Sequence, residues 1–221
     1  MEADHEADGL RAWGGQGTVL LHDSCRVGRS TALLMERCDP GTPLSANRPE
    51  AEQDVIVAGL LSRLWEVGTS GPPFRPLHTM CQEWVAEFQQ GLEVLPKAAS
   101  GVDPGLVRAG MDLFLALASH GGREVLLCTD LHAGNVLSAG REPWLVIDPK
   151  PFVGDPCYDV LQHLLNCSER LAHDPRTLTR RMADLLDLDA DRVRQWLFAR
   201  CVIEGLDDPM LRTVATKLAP T

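Results

Sequence analysis

The chain has no apolar run approaching the length needed to cross a bilayer, and Met1-Glu2-Ala3-Asp4 is the reverse of a basic targeting start. A membrane span and a secretory leader are therefore not expected, and a cytoplasmic location is. Seven cysteines, at Cys25, Cys38, Cys81, Cys128, Cys157, Cys167 and Cys201, form no C-x-x-C pair and are odd in number. That spacing argues against a disulfide framework or a zinc site and for reduced thiols. Positive charge is short as well: the net charge is −10, so a nucleic-acid backbone would be repelled. No internal repeat and no low-complexity segment is present.

What remains is an ordinary globular composition, 44% hydrophobic and 24% charged over 221 residues. That length suits one sizeable core, or a small lobe and a large one.

The informative stretch runs from Val125 to Asp159. Val125-Leu126-Leu127 reads as a buried strand, and Cys128-Thr129-Asp130 turns polar. Asn135 to Ser138 and Trp144 to Ile147 read as two short strands joined by a Gly/Pro turn over Ala139 to Pro143. Folding that hairpin about Arg141 brings Asn135 almost opposite Asp148, with Asp130 one loop away. Phosphoryl transfer needs a carboxylate to take or orient the nucleophile's proton, and oxygen ligands to hold Mg²⁺ against a polyphosphate. D-x-x-x-x-N followed by a strand-terminal Asp supplies that set, with Asp130 as base and Asn135 and Asp148 as metal ligands. Read singly, these residues are also ordinary turn formers and strand caps.

T-D-L-H-A-G-N-V-L, W-L-V-I-D-P-K-P and V-G-D-P-C-Y-D resemble the catalytic core of the aminoglycoside phosphotransferase superfamily. Within it they resemble the streptomycin 6-phosphotransferase and hydroxyurea phosphotransferase branch. Leu33 to Leu44, L-L-M-E-R-C-D-P-G-T-P-L, resembles that branch's hinge. The resemblance implies an α+β, protein-kinase-like fold, with an incomplete small β-containing lobe and a mostly α-helical large lobe. Residues 1–39 would be the remnant of the nucleotide-binding lobe with its hinge, and residues 40–221 the catalytic and substrate lobe. It implies ATP and Mg²⁺ as cofactors and a small-molecule hydroxyl as acceptor, of the streptomycin or hydroxyurea kind. A non-catalytic kinase-like fragment and a small-metabolite kinase are the alternatives.

The same resemblance nominates Glu36 and Cys38, through backbone groups, for the adenine edge. It makes Glu6 the helix carboxylate that steadies a phosphate-binding Lys. One departure is Cys128, where the family usually has His two residues before the catalytic Asp. His132 reads as loop architecture, Asp155 and Asp159 as supports of the catalytic loop, Asp155 also as the N-cap of a helix that Pro156 opens, and Lys150 as a partner for a phosphate or a carboxylate. Trp196 and Glu204 fall where the family places substrate contacts, against a plainer reading as core Trp and solvated Glu. No glycine-rich phosphate loop and no strand Lys precede Glu6. A weak kinase with an open sheet edge prone to self-association is therefore expected.

Helices are expected over Glu2 to Trp13, Pro49 to Val67, Met80 to Leu95, Asp103 to His120, Leu178 to Leu186 and Ala190 to Ile203. Strands are expected from Thr18 to Asp23 and from Thr31 to Met35, turning at Gly28. The run from Arg176 to Arg181 reads as a solvated face, and the tail beyond Asp208 as a helix end or frayed.

Overall fold

The computed structural model describes residues 5–28, 30–69, 74–94, 103–120 and 122–220. The expected beginning of the first helix (residues 2–4), the centre of the 68–76 loop, Leu95 and Gly121 lie outside these residues.

Helix α1 (Glu6–Trp13) buries Leu10 and Trp13 and stops at Gly14, whose left-handed φ of 56° lets its N–H reach Leu10 O at 3.0 Å. The chain then runs beside the later hairpin that contains Val146 before it forms its own. Thr18 pairs in parallel with Val146, and Val19 N donates to Val146 O at 3.0 Å. The first strand of the small sheet, β1 (Leu21–Val27), consequently begins later than expected and runs longer. It pairs antiparallel with β2 (Ser30–Met35), from Leu21↔Met35 to Val27↔Ser30. This two-stranded sheet leaves Val27 and Leu34 exposed at 68% and 63%.

The segment after β2 is tied to the strand at Ser138. Gly41 N donates to Ser138 O and Ser138 N to Thr42 O, both at 3.0 Å. Helix α2 (Leu44–Asn47) leads into α3 (Glu50–Leu64), followed by α4 (Leu77–Val94) and α5 (Pro104–Ser119). Asp103 caps α5 through Leu106 N at 2.8 Å, with Pro104 first in the helix, as the Asp-Pro pair predicts.

Strand β3 (Val125–Leu127) pairs antiparallel with β6 (Phe152–Gly154), and β4 (Val136–Ser138) with β5 (Trp144–Val146). Helices α6 (Pro156–Asp159), α7 (Leu161–Asn166), α8 (Ser168–His173), α9 (Pro175–Leu186), α10 (Ala190–Glu204) and α11 (Pro209–Leu218) complete the chain. The tail beyond Asp208 is thus not frayed. Asp208 caps α11 through Met210 N and Leu211 N, and Val214 and Leu218 are fully buried.

One large core joins α3, α4, α5, β3 and the later helices, and contains Leu61, Phe114, Leu126, Trp196 and Val214. A smaller cluster of Leu10, Val19 and Leu145 packs with Leu33, Met35 and Cys38 on the hinge side. Helix α5 lies against α10 at Gly110, where a Cβ would stand 2.6 Å from Val202; only glycine allows that approach.

Helix α3 turns polar as well as apolar residues inward. Val55 is 53% exposed, whereas Gln53, Asp54 and Val57 turn inward. The buried Asp54 is satisfied by Arg170 (3.0 and 2.7 Å), Arg181 (2.6 Å) and His163 (3.0 Å). Burial alone would raise its carboxyl, but these donors outweigh it and hold the group far below the carboxylate range. Part of the Arg176 to Arg181 run is therefore structural: Arg181 reaches Asp54, and Arg176 binds Lys217 O at 3.1 and 2.9 Å.

Candidate active site

The site lies at the end of the β4–β5 ladder. Val136↔Val146 is its last pair, and one step beyond it Ile147 N donates to Asn135 O at 2.9 Å. Asn135 ends the short 3₁₀ turn Ala133–Asn135 instead of opening the strand, so its side chain swings toward the preceding loop. Its Nδ2 donates to the main-chain oxygen of Asp130 at 3.1 Å and lies 3.5 Å from the Asp130 carboxylate. That contact uses the amide nitrogen of Asn135 and not its oxygen. Asp148 follows Ile147 with a left-handed φ of 51°, uncommon for an Asp before Pro149, and its side chain is half exposed. Asp130, Asn135 and Asp148 are thus brought together as the sequence predicts.

The loop beneath them hangs on Asp159, which is fully buried. Its carboxylate accepts Cys128 N (3.0 Å), Thr129 N (2.6 Å) and Trp65 Nε1 (2.8 Å). Burial pushes its carboxyl up to about 6 against those hydrogen bonds. Thr129 itself sits at φ 51°, and its hydroxyl donates to Lys150 O at 2.6 Å. Cys128 is buried within the core and is not part of the reacting surface. Asp155 caps α6 through Cys157 N at 2.9 Å and binds Arg192 Nε (2.5 Å) and Trp196 Nε1 (2.7 Å). Trp196 is accordingly a core residue and not a substrate contact.

His132 folds onto its own loop, its Nδ1 accepting Gly134 N at 3.1 Å, and burial lowers its pKa. Lys150 forms an ion pair with the Asp148 carboxylate. Glu6 on α1 is close enough to both that Asp148, after burial, raises its pKa while Lys150 lowers it.

The hinge residues lie apart from this group. Glu36 donates its N–H to Leu20 O at 2.8 Å, and its carboxylate is gripped by Arg141 at 2.8 to 3.1 Å. That guanidinium holds the Glu36 carboxyl below its usual range. Among the described residues the Glu36 carbonyl and the Cys38 N–H make no backbone hydrogen bond.

Beside Asp130 opens a cavity of about 270 Å³, walled by Thr129, Lys150, Trp84, Arg200 and Glu204. Arg200 is buried, lies 4.0 Å over the Trp84 ring, bonds to the Tyr158 hydroxyl, and pairs with Glu204 at 2.7 Å. Sequence reasoning took no notice of Arg200. Its signal was the four-residue spacing Trp196, Arg200, Glu204, which places all three on one helix face.

The fold has counterparts among solved structures. It matches choline kinase LicA from Streptococcus pneumoniae with a TM-score of 0.61 at 15% identity, over 98% of this chain and 72% of that one. It matches the aminoglycoside phosphotransferase APH(4)-Ia with a TM-score of 0.59 at 15% identity, over 97% and 82%. The fold is that of the protein-kinase-like phosphotransferases.

Sequence relatives narrow the class. Streptomycin 6-kinase from Streptomyces griseus is 36% identical over 96% of this chain and 68% of its own length. Hydroxyurea phosphotransferase from Kitasatospora aureofaciens is 36% identical over 91% of this chain and 57% of its own. The profile described as "Aminoglycoside/hydroxyurea antibiotic resistance kinase" matches residues 2–207. The chain belongs to that family of kinases.

Proposed function

We propose that the protein transfers the γ-phosphoryl group of ATP to a hydroxyl of a small molecule, an aminoglycoside of the streptomycin kind or hydroxyurea. The observation that carries this is the meeting of Asp130, Asn135 and Asp148 at one ladder end, beside a cavity of about 270 Å³. Asp130 orients the acceptor hydroxyl and takes its proton. Asn135 and Asp148 present hard oxygen donors, one amide and one carboxylate, which suit Mg²⁺. Bound there, the ion would neutralise charge on the polyphosphate. Asp159 holds the Asp130 loop by its backbone, and Glu204 offers the cavity a carboxylate for a cationic acceptor group.

The adenine edge, on this reading, meets the Glu36 carbonyl and the Cys38 N–H, and Glu6 steadies a cation at the phosphates. Residues 1–39 then belong to the nucleotide side with the hinge, and residues 40–221 form the catalytic and acceptor lobe. The small cluster of Leu10, Val19 and Leu145 packs the first part against the hairpin of the second. No described helix is long and apolar enough to cross a membrane, and a cytoplasmic site of action fits an ATP-dependent enzyme. The test is incubation with ATP, Mg²⁺ and a panel of aminoglycosides and hydroxyurea, read by mass spectrometry. A gain of one phosphoryl mass on an acceptor is expected, and no gain on any of them would refute this reading.

A further inference from the structure

Only three lysines occur in the sequence, at positions 97, 150 and 217. Lys217 binds the carbonyls of Ala172 and His173, far along the chain from the site. Lys150 is different in every respect. Its backbone is fastened to the catalytic loop from both sides: Lys150 N donates to Cys128 O at 2.8 Å, and Lys150 O accepts the Thr129 hydroxyl at 2.6 Å. Proline stands on either side of it, and Pro151 packs on Gly9 of α1, where a Cβ would come within 3.0 Å. The side chain is 16% exposed, pairs with Asp148, and walls the same cavity as Asp130.

The charges around it make this placement informative. Glu6, Asp130 and Asp148 surround one ammonium, so the cluster is net negative. A triphosphate entering that field is repelled unless cations stand between it and the carboxylates.

We propose that Lys150 is a catalytic residue that binds the transferred phosphoryl group. This rests on the phosphotransfer reading above. With nucleotide absent, the ammonium neutralises Asp148. When Asp148 serves a metal ion instead, the ammonium is released to a γ-phosphate oxygen beside Asp130, and Glu6 remains as its counter-charge. The acceptor oxygen forms its bond to the γ-phosphorus, the bond to the bridging oxygen breaks, and that electron pair leaves with ADP. The hydroxyl proton passes to Asp130, and Lys150 keeps its own proton throughout. It contributes as a fixed charge where negative charge shifts in the transition state.

A γ-phosphate contact separates ATP from ADP, so the test is binding. Titration calorimetry with ATP and with ADP, each with excess Mg²⁺, is run on the parent protein, K150M, K150R and K217M. K150M is expected to bind ATP about tenfold more weakly, the worth of one charge-assisted hydrogen bond, with ADP changed less than about twofold. K150R should retain most of the preference for ATP, and K217M all of it. Turnover of K150M should fall on the order of a hundredfold. Equal losses for ATP and ADP, or none, would overturn the role of Lys150 while leaving Asp130, Asn135 and Asp148 as the site. A parent protein that binds neither nucleotide would overturn both.

Discussion

Replacing Asp159 by alanine isolates the support of the catalytic loop from its chemistry, because Asp159 is fully buried and reaches the cavity only through the backbone N–H groups it holds. The substitution strands three buried donors, Trp65 Nε1, Cys128 N and Thr129 N. Each unpaired buried donor costs roughly 1–3 kcal/mol. Against this, removal of the carboxylate relieves its own burial. The folded-state pKa is about 6 and the reference value 3.8, a difference worth about 3 kcal/mol at neutral pH. The net loss at pH 7.5 is therefore about 3 kcal/mol, a large part of a small domain's stability.

The sign of the pH dependence follows. Between about pH 4 and 6 the folded protein holds a proton on Asp159 that the unfolded chain has lost, so the parent's stability falls as pH rises through that window. The alanine variant lacks this term, and the gap between the two should narrow from pH 4.5 to 7.5 by about 2 kcal/mol. Urea unfolding followed by Trp fluorescence measures it directly, with Trp65 as a reporter in contact with the site. A gap below about 0.5 kcal/mol at both pH values would show that the loop does not hang on Asp159.

Other expectations are independent of that one. Asp130→Asn should keep nucleotide affinity and lose turnover by at least about a hundredfold, since only the proton-accepting role is deleted; single-turnover kinetics decides it. Asp148→Ala should abolish the strengthening of ATP binding by Mg²⁺, read by calorimetry with and without the ion. Asp54→Ala leaves Arg170, Arg181 and His163 without their carboxylate and should cost about 3–5 kcal/mol in denaturant unfolding. Its depressed pKa means that the contribution is present above the ordinary Asp range and is lost as pH falls through the folded value. Leu34→Lys on the exposed small sheet should reduce any self-association seen in sedimentation, because a charge there opposes edge pairing.

The hairpin and its three polar residues were legible because a period-two pattern and two turn-forming clusters leave Asn135 and Asp148 little freedom in register. Asp155 was legible as a cap because Asp-Pro before an apolar run is a local signal. Asp54 was not: an acidic residue in an amphipathic helix looks solvated until Arg170 and Arg181 arrive from helices more than a hundred residues away. The expected start of the first strand at Thr18 failed for a similar reason. Thr18 and Val19 have strand character, but their partner is Val146 across the hinge and not β2. Local pattern gives the type of an element, and pairing partners separated by such distances in sequence decide its limits.

Arg141, at the turn of the catalytic hairpin, grips the Glu36 carboxylate, the carbonyls of Gly15 and Thr18, and Glu142 at once. The opposite end of the same short ladder carries Asn135 and Asp148. The hairpin therefore acts as a lever with its fulcrum in the core, one arm clasped to the hinge and the other to the reacting groups. If a base docks at Glu36 and Cys38 as proposed, a tilt there would reach Asn135 and Asp148 through this ladder. A substitution of Arg141, which touches neither nucleotide phosphate nor acceptor, would uncouple adenine recognition from metal positioning and appear in kinetics as a loss of communication between ends that are each intact.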